Sequence, residues 1–319
     1  QTWFKIKRLK SYSPPKCPSC MKNTHLEHPE DAILTGDLSV LDWFSESDSF
    51  ISTKMDGAPA IVWGTNPATG KFFVGTKSVF NKVKIKINES HADIDQNHSG
   101  SVADILHHCL DYLPDFKGII QGDFIGFGGS DTYTPNTITY KFPNVVTEEI
   151  IIAPHTYYTA DNDLRDAVAH PMKFRITDTY YCKFVQPKVL LTENREDIAD
   201  VCDFARQMST LCEFVDDKKA AKIKKAINTM IRNGAELDDF AISVFADCDI
   251  NLVRLWKLVA TIKADLFLFI HSTDDIECSI CGHETFHEGY VITNKYGMFK
   301  VVDREEFSYA NFNVQKSWS

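Results

Sequence analysis

The 319-residue chain is 44% hydrophobic and 24% charged, the balance of a folded globular protein with room for one or two domains. Its formal net charge of −10 opposes a surface that is basic throughout, as non-specific nucleic-acid binding favours. No apolar run approaches the roughly 18 residues of a membrane span, and Gln1-Thr2-Trp3-Phe4 lacks a signal-peptide layout, so the expectation is a protein with no membrane contact in the cytoplasm (the host cytoplasm if viral).

Taken in chain order, the opening carries Lys5, Lys7, Arg8 and Lys10, then Cys17-x-x-Cys20, then Thr24-His25-Leu26-Glu27-His28-Pro29, read as a loop leading to a helix. From Ile51 to Ile87 short β-rich runs alternate with turns. Ile61-Val62-Trp63 and Lys71-Phe72-Phe73-Val74-Gly75, joined through Gly64 to Gly70, predict an antiparallel hairpin beginning just after Lys54. Val102 to Leu113 has helical spacing and stops at Pro114. Gly118 to Phe127, Ile138 to Phe142 and Ile150 to Ala153 read as strands. Asp197 to Phe214, Lys218 to Arg232, Leu237 to Ala246 and Asn251 to Ile270 then carry helical spacing, with Asn233-Gly234 as a stop signal. Beyond Ile276 the β pattern returns, with Tyr290 to Thr293 and Met298 to Val302 joined by a turn at Asn294 to Gly297.

The nine cysteines are an odd, scattered set, which argues against a secreted disulfide framework. Cys17/Cys20 and Cys278/Cys281 could build one structural Zn²⁺ site if the fold joined them; unrelated loop or hairpin cysteines are the alternative. Lys71, Lys77, Lys82, Lys84 and Lys86 form a lysine-rich stretch that is either a local nucleic-acid path or a solvated face.

Four short motifs carry the chemistry. Lys54-Met55-Asp56-Gly57 precedes an apolar run, and Lys54 and Asp56 share a face if the segment is extended. Gln121-Gly122-Asp123, Glu288-Gly289-Tyr290-Val291-Ile292 and Phe299-Lys300-Val301-Val302 follow in that order. A lysine is a weak nucleophile at neutral pH unless burial or neighbouring positive charge lowers its pKa, and Lys77, Lys300 or a bound metal ion could supply that charge. A lone strand glutamate such as Glu288, facing phosphates, suits Mg²⁺.

This ordered set resembles motifs I, III, IV and V of the covalent nucleotidyltransferase superfamily of ATP-dependent DNA and RNA ligases and mRNA capping enzymes. The opening segment and Lys-x-Asp-Gly-Ala-Pro-Ala further resemble an uncharacterised phage-encoded ligase-like group. The resemblance implies an α+β fold: an antiparallel-sheet-rich nucleotidyltransferase (ATP-grasp-like ligase) core, residues 50–191 and 271–319. The stretch of helical spacing, taken as an insertion (192–270) that the resemblance does not match, would interrupt it behind an N-terminal segment (1–49), and the short run after motif V leads to the expectation of no C-terminal OB domain. It further implies ATP and Mg²⁺ (or Mn²⁺) as cofactors, and nicked duplexes or 5′-phosphate and 3′-hydroxyl ends as partners. Lys54 would take AMP; Asp56, Gly57, Lys77, Asp123, Tyr157 and Lys300 would bind the nucleotide; Glu288 and Asp123 would hold the metal. Gly75-Thr76-Lys77-Ser78 occupies the place of motif Ia, and Ile151 to Tyr157 that of motif IIIa, where Tyr157 or His155 would stack on adenine.

The sequence departs from the pattern three times, once by lacking the phenylalanine expected in motif IIIa. Asp123 stands where the family carries Glu, and Val302 replaces a second motif V lysine, a role Arg304 could fill from a shifted register. Two other readings stand beside polynucleotide ligation: transfer to another acceptor, as in RNA capping by GMP or AMP transfer to a protein or small molecule, and a non-catalytic ligase-fold structural protein.

Overall fold

The computed structural model describes residues 26–192 and 195–313. Its first part contains α1 (Pro29–Ala32), α2 (Ser39–Ser45), β1 (Phe50–Lys54), β2 (Ala60–Thr65), β3 (Phe72–Gly75), α3 (His91–Asn97) and α4 (Gly100–Tyr112). There follow β4 (Ile119–Phe127), β5 (Thr132–Tyr133), β6 (Thr139–Lys141), β7 (Ile150–Thr159), β8 (Val168–Pro171), β9 (Cys182–Phe184) and β10 (Val189–Leu191). Helices α5 (Arg195–Ser209), α6 (Asp217–Arg232), α7 (Asp239–Ala246) and α8 (Ile250–Leu268) come next. The chain continues with β11 (Ile270–Ser272), β12 (Glu277–Ile280), β13 (His283–Thr285), β14 (Gly289–Asn294), β15 (Gly297–Val301) and α9 (Arg304–Asn313).

The largest sheet runs β3-β2-β4-β7-β8, with β9 added in parallel to β7; the other pairings in it are antiparallel. The predicted hairpin is its β2–β3 pair. Side chains alternate across a strand, so Ile61 and Trp63 face α4 through Ala103, Leu106 and Cys109, while Val62 joins Phe73, Val79 and Tyr158 on the opposite side. Both faces are buried, which explains why β2 reads as a continuous apolar run.

A second sheet, β1-β14-β15, is antiparallel throughout. It packs on the helices rather than on the large sheet: Tyr290, Ile292 and Val301 share one core with Trp43 and Phe44 of α2, Ile223 and Ile227 of α6, and Trp256 and Val259 of α8. The helices begin where the sequence supplies caps. Asp216, Asp238 and Asp249 accept hydrogen bonds from Lys219 N, Ala241 N and Asn251 N. Gly234, at φ 64°, follows the end of α6 where the left-handed region favours glycine. The α+β, antiparallel-rich class expected from the sequence is what the chain adopts. The helical stretch is not free-standing, because α1 and α2 of the N-terminal segment complete its core.

Candidate active site

Lys54 closes β1, and the antiparallel register puts it opposite Gly289, the first residue of β14. Glu288 therefore arrives beside the lysine, and its Oε2 lies 2.5 Å from Lys54 Nζ. The next ladder pairs Val291 with Lys300, bringing the β15 lysine to the same end of the sheet. Three motif residues spread over most of the chain thus meet through two strand pairings.

Asp56 and Gly57 then carry the chain from this sheet to the large one. The Asp56 carboxylate is buried and accepts hydrogen bonds from Asn136 Nδ2 (2.7 Å), Thr137 N (2.7 Å) and Ile138 N (2.9 Å). Its own backbone N donates to Tyr140 Oη at 2.6 Å. Gly57 lies flat on β4, flanked by hydrogen bonds from Ala58 N to Phe124 O and from Phe124 N to Pro59 O. A Cβ at Gly57 would stand 2.6 Å from Asp123 Cβ and 2.8 Å from Phe124 O, a closeness only glycine permits. That contact sets Asp123 against the lysine. Asp123 Oδ2 lies 3.5 Å from His155 Nε2 on the neighbouring β7.

These groups line a cavity of about 1040 Å³, at the upper end of the range for small-molecule sites. Lys54, Asp56, Asp123, Glu288 and Lys300 line it, as do Lys77, Lys173, Arg175 and Lys188, with Phe174, Tyr296 and Phe299 among them. Six Lys or Arg side chains line it against five Asp or Glu, Glu27 and Asp37 included, so its wall carries both signs in near balance inside a chain of net charge −10.

The electrostatics of the lysine differ from the sequence expectation. Burial pulls the pKa of Lys54 down, but Glu288, Asp123 and Asp56 outweigh it and hold the amine above the ordinary lysine range. Burial, with Asp56 and Asp123 nearby, raises Glu288 against the opposing pull of Lys54. Lys300 is the amine that is lowered, by burial first and then by Lys54 and Arg304. Without a ligand, then, Lys54 is a charged ammonium in a nest of carboxylates.

A family model described as a family of unknown function, DUF6267, matches residues 23–249 and 246–316. The chain belongs to DUF6267. No curated protein matches it, and neither does any solved structure.

Within this DUF6267 chain the other sequence candidates are distributed unevenly. Lys77 is exposed and lies on the cavity wall, in a single 3-10 turn after β3. Tyr157 is not on that wall; it packs against Phe116, Phe174 and His170, and the β7 side-chain rings that line the cavity are His155 and the buried Tyr158. Arg304 does not replace a second motif V lysine. It is buried in α9, with Nη1 bonded to Asp31 Oδ1 (2.8 Å) and Nη2 to Asn228 Oδ1 (2.9 Å). Of the lysine-rich stretch only Lys77 lines the cavity, while Lys86 Nζ donates to Asn97 O. Sequence reading passed over Lys173, Arg175 and Lys188, which reach the cavity from loops with no motif of their own.

The residues suit Mg²⁺ only in company with phosphate. Glu288 Oε1 and Asp123 Oδ1 accept no hydrogen bond among the described residues, and no group of three His, Cys, Asp or Glu there is arranged as a metal cage. Two carboxylate oxygens, completed by waters and a nucleotide's phosphates, are the donor set Mg²⁺ ordinarily takes. For zinc, Cys17 and Cys20 lie outside the described residues. Cys278 is buried on β12 with Sγ 3.6 Å from His287 Nδ1, whereas Cys281 is exposed in the turn between β12 and β13. His287 turns away from the cavity, its Nε2 2.8 Å from Asp274 Oδ2 and its ring stacked on Tyr140.

Proposed function

We propose that this chain is an ATP-dependent nucleotidyltransferase that carries AMP on Lys54 and passes it to the 5′-phosphate of a nucleic-acid end, which is then sealed with a 3′-hydroxyl. One observation carries the reading: Lys54, Asp123, Glu288 and Lys300, each from a separate motif, stand together on the wall of one cavity.

In the first step the Lys54 amine attacks the α-phosphorus, an N–P bond forms, and the P–O bond to pyrophosphate breaks. The amine must first lose a proton, and Glu288, 2.5 Å away and raised by burial, is placed to receive it. Lys300, with no carboxylate at ion-pair distance among the described residues, directs its charge at the phosphates. Asp56 holds the loop rather than the nucleotide, since three donors already occupy its carboxylate. Asp123 and His155 face the cavity beside it, where the ribose or base would be held. Asp123 would hold Mg²⁺ while Glu288 carries the proton, and Glu288 would join it as a ligand once that proton has left; the ion would neutralise charge on the phosphates.

Intact mass after incubation with ATP and Mg²⁺ tests the first step. An AMP-sized increment, removed by pyrophosphate and absent from Lys54→Ala, is expected; no increment with ATP or GTP would sink the reading. Sealing of a nicked strand on a denaturing gel tests the second step. The acidic net charge favours one other reading, nucleotidyl transfer to a different acceptor, for which the adduct forms and no strand is joined.

A further inference from the structure

A row of aromatic rings runs along the surface on the α4 side of the large sheet, away from the cavity. Tyr180 meets Tyr181 at 4.9 Å between ring centroids, Tyr181 stacks on Tyr112 at 5.1 Å, Tyr112 neighbours His108 at 6.1 Å, and His108 meets Phe127 at 4.6 Å. Tyr112 and His108 are one helical turn apart on α4, whereas Tyr181 precedes β9 and Phe127 ends β4, so three elements contribute to one ribbon. Tyr180 is 86% exposed, Tyr181 45% and Phe127 40%. Contiguous exposed aromatics of this kind mark interaction surfaces.

Two further observations define what would lie on it. The hydroxyls of Tyr112, Tyr180 and Tyr181 have no hydrogen-bond partner among the described residues, which leaves a line of free donors. The backbone of Glu149 ties the two ends together, its N bonded to Tyr181 O (2.9 Å) and its O to Gly128 N (3.0 Å). Glu148 and Glu149 thus sit beside the ribbon, and neither has an ion-pair partner among the described residues.

We propose that this ribbon docks a proline-rich peptide segment flanked by arginine. A polyproline II strand has no internal hydrogen bonds, so its carbonyls are free to accept from the tyrosine hydroxyls along the ribbon. Its rigidity spares the ordering entropy that a flexible peptide would lose on an open surface. The two glutamates select a cationic flank and repel a phosphate backbone, which argues against the ribbon as a base-stacking platform.

The test uses the full chain and a fluorescently labelled decapeptide of prolines ending in two arginines, read by anisotropy. The same peptide ending in two glutamates, a ten-residue oligo-dT and a glucose hexamer serve as comparators. Binding of the arginine peptide, weakened at least about tenfold by Tyr181→Ala and by Tyr180→Ala, is expected. The double change Glu148→Gln, Glu149→Gln should erase the preference for arginine over glutamate. Equal binding of the two peptides by the unaltered chain, no binding of either, or preference for oligo-dT or the glucose hexamer would overturn the proposal. Because the ribbon is remote from the cavity, Lys54→Ala is expected to bind the peptide as well as the unaltered chain, so this proposal and the nucleotidyl-transfer reading fail separately.

Discussion

Lys54 and Glu288 are 234 positions apart, yet the lysine amine sits 2.5 Å from the glutamate Oε2 at the end of one antiparallel ladder. The pair has a consequence for reactivity. Glu288 is the largest of the charges that hold Lys54 protonated against burial, so removing it leaves burial opposed only by Asp123 and Asp56, and the amine is lowered. Glu288→Gln is therefore expected to make Lys54 react severalfold faster with a small amine-directed reagent such as cyanate near pH 8. Nucleotidyl transfer should fall at the same time, because the proton acceptor and metal ligand are gone. Peptide mapping of carbamylated Lys54 measures the first effect and intact mass the second. Slower carbamylation in the variant would contradict the assigned electrostatics.

Lys300 behaves oppositely. Its folded pKa lies below the unfolded value, so between those two values the unfolded chain binds more protons and stability rises with pH; below both, the buried charge is a constant cost. Lys300→Met removes that cost while keeping the stem's length. The variant is expected to melt higher than the parent at neutral pH and to lose adduct formation by at least about tenfold, the scale of one lost phosphate donor. A lower melting temperature would show that the amine is stabilised by a partner rather than strained by burial.

Much of the framework was legible in the sequence because local signals set it. The β2–β3 hairpin, α4, α6 with its Asn233-Gly234 stop and the β14–β15 hairpin follow from periodicity and turn chemistry. The order of the motifs also pointed to residues that line a common cavity. What sequence could not supply was the third dimension of charge. The expectation that Lys54 would be lowered failed because three carboxylates converge on it through tertiary pairing. Arg304 was open to a phosphate role because nothing local reveals that α9 buries it against α1. Tyr157 and His155 are two residues apart on a strand interrupted by a register shift, so simple alternation does not say which ring faces the cavity.

Gly57 offers a test of the contact that sets Asp123. Gly57→Ala would drive a methyl group to 2.6 Å from Asp123 Cβ and 2.8 Å from a backbone oxygen, so β4 or the Asp56 loop must shift. A cost of about 1–3 kcal/mol is expected, typical of overpacking, readable as a lower urea midpoint. The loss of adduct formation should be larger, on the order of 100-fold, because displacement of a positioning group by about 1 Å carries that effect. Unchanged activity would show that the close approach of Gly57 to β4 does not set the site.

Buried charges tie α1 to α8 and to α9, the helix that follows the Lys300 strand. Glu30 Oε1 takes both Lys263 Nζ (2.6 Å) and Arg304 Nη1 (3.3 Å), while Asp31 Oδ1 takes Arg304 Nη1 (2.8 Å) and Trp256 Nε1 (2.9 Å). All four charged side chains are at most 6% exposed. Replacing such a network by apolar groups can be neutral, whereas breaking one member strands the others' charge. Glu30→Gln is expected to cost about 3–5 kcal/mol in urea unfolding. The paired change Glu30→Gln, Lys263→Met should recover part of that loss. A single-variant cost below about 1 kcal/mol would show that water reaches these groups.

His28, next to that network, gives the chain a specific acid sensitivity. Burial, then the charges of Arg304 and Lys263, push its pKa far below the ordinary histidine range, so the folded chain keeps it neutral. In the unfolded chain it titrates near 6.5. Below that pH the unfolded state binds one more proton at this site, and its contribution to stability falls by about 1.4 kcal/mol per pH unit as pH drops. Above about pH 7 the site is neutral in both states and contributes no slope. His28→Gln, which cannot take up a proton, is expected to flatten the decline between pH 6.5 and pH 5 by that amount while leaving the slope above pH 7 unchanged. Urea titrations of both chains at half-unit pH intervals measure the difference. Parallel curves would mean that His28 binds a proton in the folded state, and that the cations around it are too well screened to prevent it.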